Sequence, residues 1–439
     1  MARTWERPQP PDRLLTSAAV EARIRRAAER IADPGLRRML EVTLPNTLDT
    51  TVQLAGDDLR PDAFVITGDI GAMWLRDSTT QLWPYLPSVR EDPLLDRVVR
   101  GAIARQARQI LLDPYANAFR ADDRPSEWAS DETEMRPGVH ERKWEPDSLA
   151  AFCRLSAGYA RNAQSVRPFD AQWRAALESA IRALVTEQRL GRESSYRFHR
   201  PGGGPLDIPA GGGQGAPTRP NGMVHAAFRP SDDACELPLN VPVNLGLAAA
   251  LDAVAPIATA VGASSSALAA LRLASDIRTA VASDGVILVE GDAVWAYEVD
   301  GTGGAVFMDD ANVPSLLALP YLGACDRGNP LYVATRQRIL SRSNPWWFSG
   351  RLGDGIGSPH TGHARVWPIA VAMRGLTSTS ARERVQAARL LGASHAGTYL
   401  AHEAFDVDDA ELYSRPWFAW ANSMVGEFLE LCALDGLLA

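Results

Sequence analysis

The sequence predicts an all-α protein: a closed barrel in which outer helices alternate with inner ones, with long loops at one end forming an active site. Three observations carry this. Apolar residues recur at i, i+3 and i+4 through about a dozen segments, the period of a helix with one buried face. The segments follow one another as helix, long loop, helix. The helices are plain and often Ala-rich, while the loops hold Trp, Asp, Glu, Arg and Asn, as expected where a rigid scaffold carries function on its connections.

In chain order the helical segments are 17–32, 35–44, 79–88, 92–112, 147–163, 168–189, 241–255, 262–282, 312–321, 330–343, 364–376, 379–399 and 418–437. The run LLDRVVRGAIARQARQILL inside 92–112 is the clearest. Only Ser195–His199 and Gly285–Glu298 read as strands. Segment 200–222, RPGGGPLDIPAGGGQGAPTRPNG, has the composition of a linker. The helical pattern is alike on both sides of it, so it is read as a long surface loop within a single domain, 1–439. No short internal repeat is visible.

Composition narrows the function. A chain of 439 residues can bury a large core. Its net charge of −8 argues against an electrostatic grip on nucleic acid or an anionic membrane. Cys153, Cys235, Cys325 and Cys432 are far apart, without metal-site spacing, and read as free thiols of a reducing compartment. The start, MARTWERPQPPDRLL, lacks the apolar stretch of a secretory signal, and no apolar run reads as a membrane span. A cytoplasmic protein is expected.

Four loops concentrate reactive side chains: 67–86, 131–149, 228–244 and 344–362, joined by the stretch around Glu403. Carboxylates, Arg and Asn suit the paired hydroxyls of a sugar, and aromatic faces suit its C–H patches. Trp74, Arg76, Asp77, Arg229, His360 and Trp417 are the candidates for such contacts. Glycoside hydrolysis needs two carboxyl groups, one of them protonated at working pH. Asp232 or Asp233 could supply one, since neighbouring side chains point apart and a single member of the pair would face the site. The same Ser-Asp-Asp could simply cap a helix. Glu403, between His402 and Ala404-Phe405, could be the second carboxyl or an ordinary loop glutamate. Arg76 and Asp77 could bind hydroxyls or pin their loop. Glu134, Glu141, Arg142 and Glu145 read as a structural ion network. Asp309-Asp310 could cap a helix or touch a sugar. Asp69, Asp77, His140 and His360 lack the tight spacing of a metal site, so no metal and no cofactor are expected.

Seven motifs together carry a resemblance. TGDIGAMWLRDS, DETEM with ERKWEPDSL, FRPSDDA, DDANVPSLLALPYL, GIGSPHTG, HEAFDVDD and RPWFAWANS, in that order, resemble glycoside hydrolase family 125, the metal-independent exo-α-1,6-mannosidases. The resemblance implies an (α/α)6 barrel, an inverting reaction on a mannose-containing glycan, an Asp general acid in Arg229–Asp233 with Asp232 preferred, and Glu403 as general base. Two departures bear on linkage preference: His140 stands before Glu141-Arg142-Lys143 in place of an aromatic residue, and Glu236-Leu237-Pro238 follows Cys235. The rival readings are another helical-barrel carbohydrate enzyme, whether glycosidase, phosphorylase or epimerase, and a non-catalytic glycan-binding protein.

Overall fold

The computed structural model describes residues 6–191 and 193–439. Among these, twelve helices have eight residues or more. Their starts follow from local sequence. Proline stands in the first turn of Pro34–Thr43, Pro93–Leu112, Pro146–Ala163, Val241–Ala260, Pro330–Ile339 and Pro368–Leu376, where its missing N–H would have had no helical partner. Side-chain caps answer other starting amides: Asp92 accepts from Leu94, Asp170 from Trp173 and Asn240 from Val243.

The helices form an inner and an outer set. Leu75–Leu82 packs between Pro146–Ala163 and Ala419–Leu434, Val241–Ala260 lies against Pro146–Ala163, and Pro368–Leu376 lies against Ala419–Leu434. Segment 313–322 joins this inner set: Gly246 faces Leu322 and Pro314, and the Tyr321 hydroxyl donates to Glu427 of Ala419–Leu434. Outside them, Pro93–Leu112 covers Pro146–Ala163, Ser264–Asp284 covers Val241–Ala260, and Ala381–Ser394 covers Pro368–Leu376. One hydrophobic cluster runs from Val20 to Leu438.

Several expectations are corrected. The fold is mainly helical rather than purely so: six sheets of two or three short strands lie between the helices. The helix expected at 79–88 is Leu75–Leu82 followed by a 3-10 turn, Trp83–Ser88. Its LRDSTTQL is buried at every position, so it shows no apolar stripe. Its hydroxyls bond inward, with Gln106 donating to Ser78 and Thr79. Segment 312–321 forms turns, not a helix. Pro314 and Pro320 remove two backbone donors, and the Asp309 carboxylate takes up the N–H groups of Leu316 and Leu317. Ser195–His199 forms only a single bridge, His199 to Glu132, while Gly285–Glu298 is a hairpin of Val286–Val289 and Asp292–Trp295 running on to strand Glu298–Val299. Helix Val241–Ala260, 20 residues with a mean hydropathy of 1.6, is long and apolar enough to cross a membrane, yet 72% of that window is buried in the protein. It is apolar all round because both of its faces meet other elements.

The small sheets position the site. Met73–Trp74, Ala118–Phe119 and Val139–Glu141 form one three-stranded sheet, which carries Trp74 and His140. Arg365–Val366, Ala404–Asp406 and Tyr413–Ser414 form another, whose middle strand begins directly after Glu403.

Candidate active site

A cavity of about 400 Å³ lies where these loops converge. The start of helix Leu75–Leu82 contributes Trp74, Arg76 and Asp77. The first sheet and the chain after it add His140, Glu141 and Lys143, and the turn at 230–232 adds Asp232. His360, Trp367, Glu403, Arg415, Phe418 and Trp420 line it from the C-terminal part of the chain. Trp128, Arg200 and Asp207 also line it. The Gly- and Pro-rich loop therefore supplies part of the cavity wall.

The choice between the two adjacent aspartates is made by the backbone. Segment 229–233 is closed into a turn by the Arg229 amide donating to the Asp233 carbonyl and the Asp232 amide donating to the Arg229 carbonyl. Asp232 takes a left-handed conformation, φ 66°, which Asp and Asn tolerate better than most residues. No helix starts here: the next begins at Val241, capped by Asn240. The turn brings Asp232 to the cavity. Asp233 is turned away, buried, with Oδ1 2.9 Å from His360 Nδ1.

Arg76 organises the carboxylates. Its Nη1 donates to Glu145 Oε2 at 2.6 Å and to Asp147 at 3.2 Å, and its Nη2 donates to Asp232 Oδ1 at 3.3 Å. Its guanidinium lies over the Trp420 ring. Lys143 donates to the Asp232 backbone carbonyl at 2.6 Å. Burial alone would raise Asp232, but Arg76, with a hydrogen bond from Glu145 and the charge of Lys143, outweighs it and holds this carboxyl below the usual range. Burial pushes Glu145 well up, against the pull of Arg76. Asp77 rises to about 6, chiefly through burial. Burial works against a charged His360, but its bond to Asp233 prevails and raises it to about 9.

Glu403 enters from the other side of the chain. It is 7% exposed, accepts from the Ser414 hydroxyl at 2.9 Å, and lies 3.8 Å from Arg415 Nη1. Arg415 is itself tied to Asp69 and Thr67. Several buried polar atoms of lining residues have no hydrogen-bond partner among the described residues: Trp74 Nε1, Asp77 Oδ2, Ser231 Oγ, and both ring nitrogens of His140. Buried polar groups are normally satisfied, so these are suited to the hydroxyls of a polar ligand.

The structure thus brings Trp74, Arg76, Asp77, Asp232, His360 and Glu403 to one cavity. Asp233, Arg229 and Trp417 do not line it. Arg229 is buried and bidentate to Glu298, at 2.6 and 2.9 Å, and pins the turn at 229–233. Trp417 donates to Asn46, and the neighbouring Phe418 and Trp420 line the cavity instead. The expected ion network divides: Arg142 bonds Asp113 at 2.7 Å, away from the cavity, while Glu145 joins Arg76. Trp128, Arg200, Asp207, Arg415 and Asn117 were not singled out from sequence. Asn117 donates to Glu141, Glu145 and Asp232, a role that a lone Asn between short strands does not signal.

The family model for metal-independent α-mannosidases, GH125, matches residues 33–430. The chain belongs to glycoside hydrolase family 125. It is 38% identical over 445 residues to the meiotically up-regulated gene 157 protein of Schizosaccharomyces pombe, covering 97% of this chain and 87% of that protein. The solved structure of a metal-independent α-mannosidase from Streptococcus pneumoniae, in a non-productive complex with α-1,6-mannobiose, has a TM-score of 0.91 at 37% identity, covering 97% of this chain and 99% of that one. A bacterial glucoamylase complexed with acarbose, 12% identical, shares the fold with a TM-score of 0.53, covering 84% of this chain and 51% of that one. This GH125 chain is accordingly a glycoside hydrolase of the α-mannosidase class, with a mainly helical fold of the glucoamylase kind. Among the described residues of the mannosidase, no three His, Cys, Asp or Glu side chains are grouped as a metal would require.

Proposed function

We propose that this GH125 enzyme is an exo-acting, inverting α-mannosidase that removes a terminal α-1,6-linked mannose. We read its scaffold as an (α/α)6 barrel, with segment 313–322 in place of one inner helix. The observation that carries the reading is the meeting of Asp232 and Glu403, 171 residues apart in sequence, at one cavity of this family's fold. The α-1,6-mannobiose bound to the Streptococcus pneumoniae relative supports the linkage. Glu403, braced by Ser414, takes a proton from water as the oxygen attacks the anomeric carbon. Asp232 gives a proton to the glycosidic oxygen as its bond to that carbon breaks. The attack comes from the face opposite the leaving group, so the product has inverted configuration. For water to fit, the two carboxyl groups work at ~6.5–9.5 Å apart.

The test is hydrolysis of α-1,6-mannobiose by wild type and Glu403→Gln. The amide keeps the shape but cannot take the proton. Turnover should fall ~10²–10⁴-fold or more with inhibitor affinity retained. Near wild-type kcat in the variant would remove Glu403 from the role.

A further inference from the structure

We propose that Glu145 is the proton store of the catalytic acid: Glu145 and Asp232 share one proton, and the pair, not Asp232 alone, holds the proton that is delivered to the glycosidic oxygen. This rests on the reading of Asp232 as the acid.

The geometry is specific. The two carboxyl groups are held side by side on shared donors, and two carboxyl groups brought together in this way repel when both are ionised, so that one proton retained between them is favoured. Two side chains bridge the pair. Arg76 reaches Glu145 through Nη1 and Asp232 through Nη2. Asn117 Nδ2 reaches Glu145 Oε1 at 3.4 Å and Asp232 Oδ1 at 3.3 Å. Glu145 occupies the N-cap position of helix Pro146–Ala163, yet its side chain caps no backbone amide. It is turned instead toward Arg76 and Asp232. Glu145 is 1% exposed and does not line the cavity, whereas the Asp232 side chain is 25% exposed and does. Glu145 can therefore act on substrate only through Asp232, which makes it a positioning residue.

The surrounding charge explains why sharing is needed. Arg76, Lys143 and His360 favour an ionised Asp232. An Asp bonded to Arg76 and lying in the field of Lys143 and His360 loses its proton readily, and alone it would be a poor acid. Asp147, 3.2 Å from the same Arg76 nitrogen, opposes a charge on Glu145. Asp77 faces Asp232 from helix Leu75–Leu82, and Glu141 faces Lys143 from the first sheet. With this many carboxylates gathered, one proton retained between Glu145 and Asp232 relieves repulsion. In the reaction that proton leaves the pair for the glycosidic oxygen. The attacking water supplies hydroxide to the sugar carbon and its proton to Glu403. Glu403 then releases that proton to solvent, and the pair regains one from solvent through Asp232.

The experiment compares pH profiles of kcat/KM for wild type, Glu145→Gln, Glu145→Asp, Asn117→Ala and Asp232→Asn, on α-1,6-mannobiose and on dinitrophenyl α-mannoside. Gln cannot store a proton and donates to Asp232, favouring its charged form. In Glu145→Gln the basic limb on mannobiose should move down by at least one pH unit, about a tenfold loss per unit above the new limb. The dinitrophenyl substrate, which needs little protonation, should be much less affected. Glu145→Asp should recover part of the limb, and Asn117→Ala, which removes a donor that favours the ionised form of the pair, should move it upward. A uniform loss on both substrates with an unmoved limb means that Glu145 only supports the fold, and overturns the proposal, as does a wild-type profile. If Glu145→Gln does not fold, the limb of Asn117→Ala decides: unmoved, it overturns the proposal. Asp232→Asn separates the two readings. If it lacks the leaving-group dependence, the assignment of Asp232 as acid falls; if it shows that dependence and Glu145→Gln does not, only the proton store falls.

Discussion

Asp232 and Asp233 are chemically identical neighbours, and only the turn that holds them gives them different surroundings. Asp232→Asn preserves the left-handed backbone, since Asn also tolerates it. The variant should be crippled on α-1,6-mannobiose and much less so on dinitrophenyl α-mannoside, whose leaving group needs little protonation. Asp233→Asn should instead lower both activities alike, because it loosens His360. Steady-state kinetics on the two substrates check this, and a leaving-group pattern in Asp233→Asn would reverse the assignment. The His360–Asp233 pair also has a stability consequence. His360 is raised to about 9 in the folded protein, from about 6.5 when unfolded. Its contribution is fully present below about pH 6.5 and is lost as pH rises through about 9. Urea midpoints of wild type and His360→Gln should differ at pH 6 and converge by pH 10. An equal difference at both would show that the charge pair does not stabilise. At this scale residue type was legible and partnership was not. Arg229 and Trp417 have the chemistry of sugar contacts, but their donors are taken by Glu298 and Asn46, 69 and 371 residues away. Nothing local in the sequence announces those bonds.

Elements were legible where one face is apolar. Helix Pro93–Leu112, with its alternating buried and exposed sides, lies within a residue of the segment read from periodicity. Leu75–Leu82 was misplaced because an inner helix built of Arg, Asp, Ser, Thr and Gln has no stripe to read. The strands that aim the site are two or three residues long, too short for alternation to show, and tertiary pairing defines them. Close approach of inner elements rests on small residues. A Cβ on Gly426, in helix Ala419–Leu434, would meet the Leu44 backbone at 2.5 Å. Leu44 follows helix Pro34–Thr43 directly, and backbone cannot give way as a side chain can. Gly426→Ala should therefore destabilise by about 1–3 kcal/mol. A lower denaturant midpoint with unchanged slope would confirm it, and a wild-type midpoint would show that the two elements can separate without cost.

Over the whole molecule, a helical scaffold brings together loops from residue 67 to residue 420 around one cavity. The order of the motifs made the family legible. The extent of the cavity was not, because Arg200 and Asp207 lie in a segment whose composition speaks only of flexibility. The proposed chemistry uses carboxyl groups alone, and the described residues offer no grouped metal ligands. Dialysis against EDTA should leave the rate on α-1,6-mannobiose unchanged, and a loss restored by Ca²⁺ or Zn²⁺ would refute a metal-free mechanism. The central claim is that Asp232 and Glu403 work from opposite faces of the sugar with a water between. It is tested most directly by following the first turnovers on α-1,6-mannobiose by proton NMR, before the released sugar mutarotates. Mannose appearing first as the β-anomer is the result expected of this pair; the α-anomer appearing first would mean retention and would contradict it.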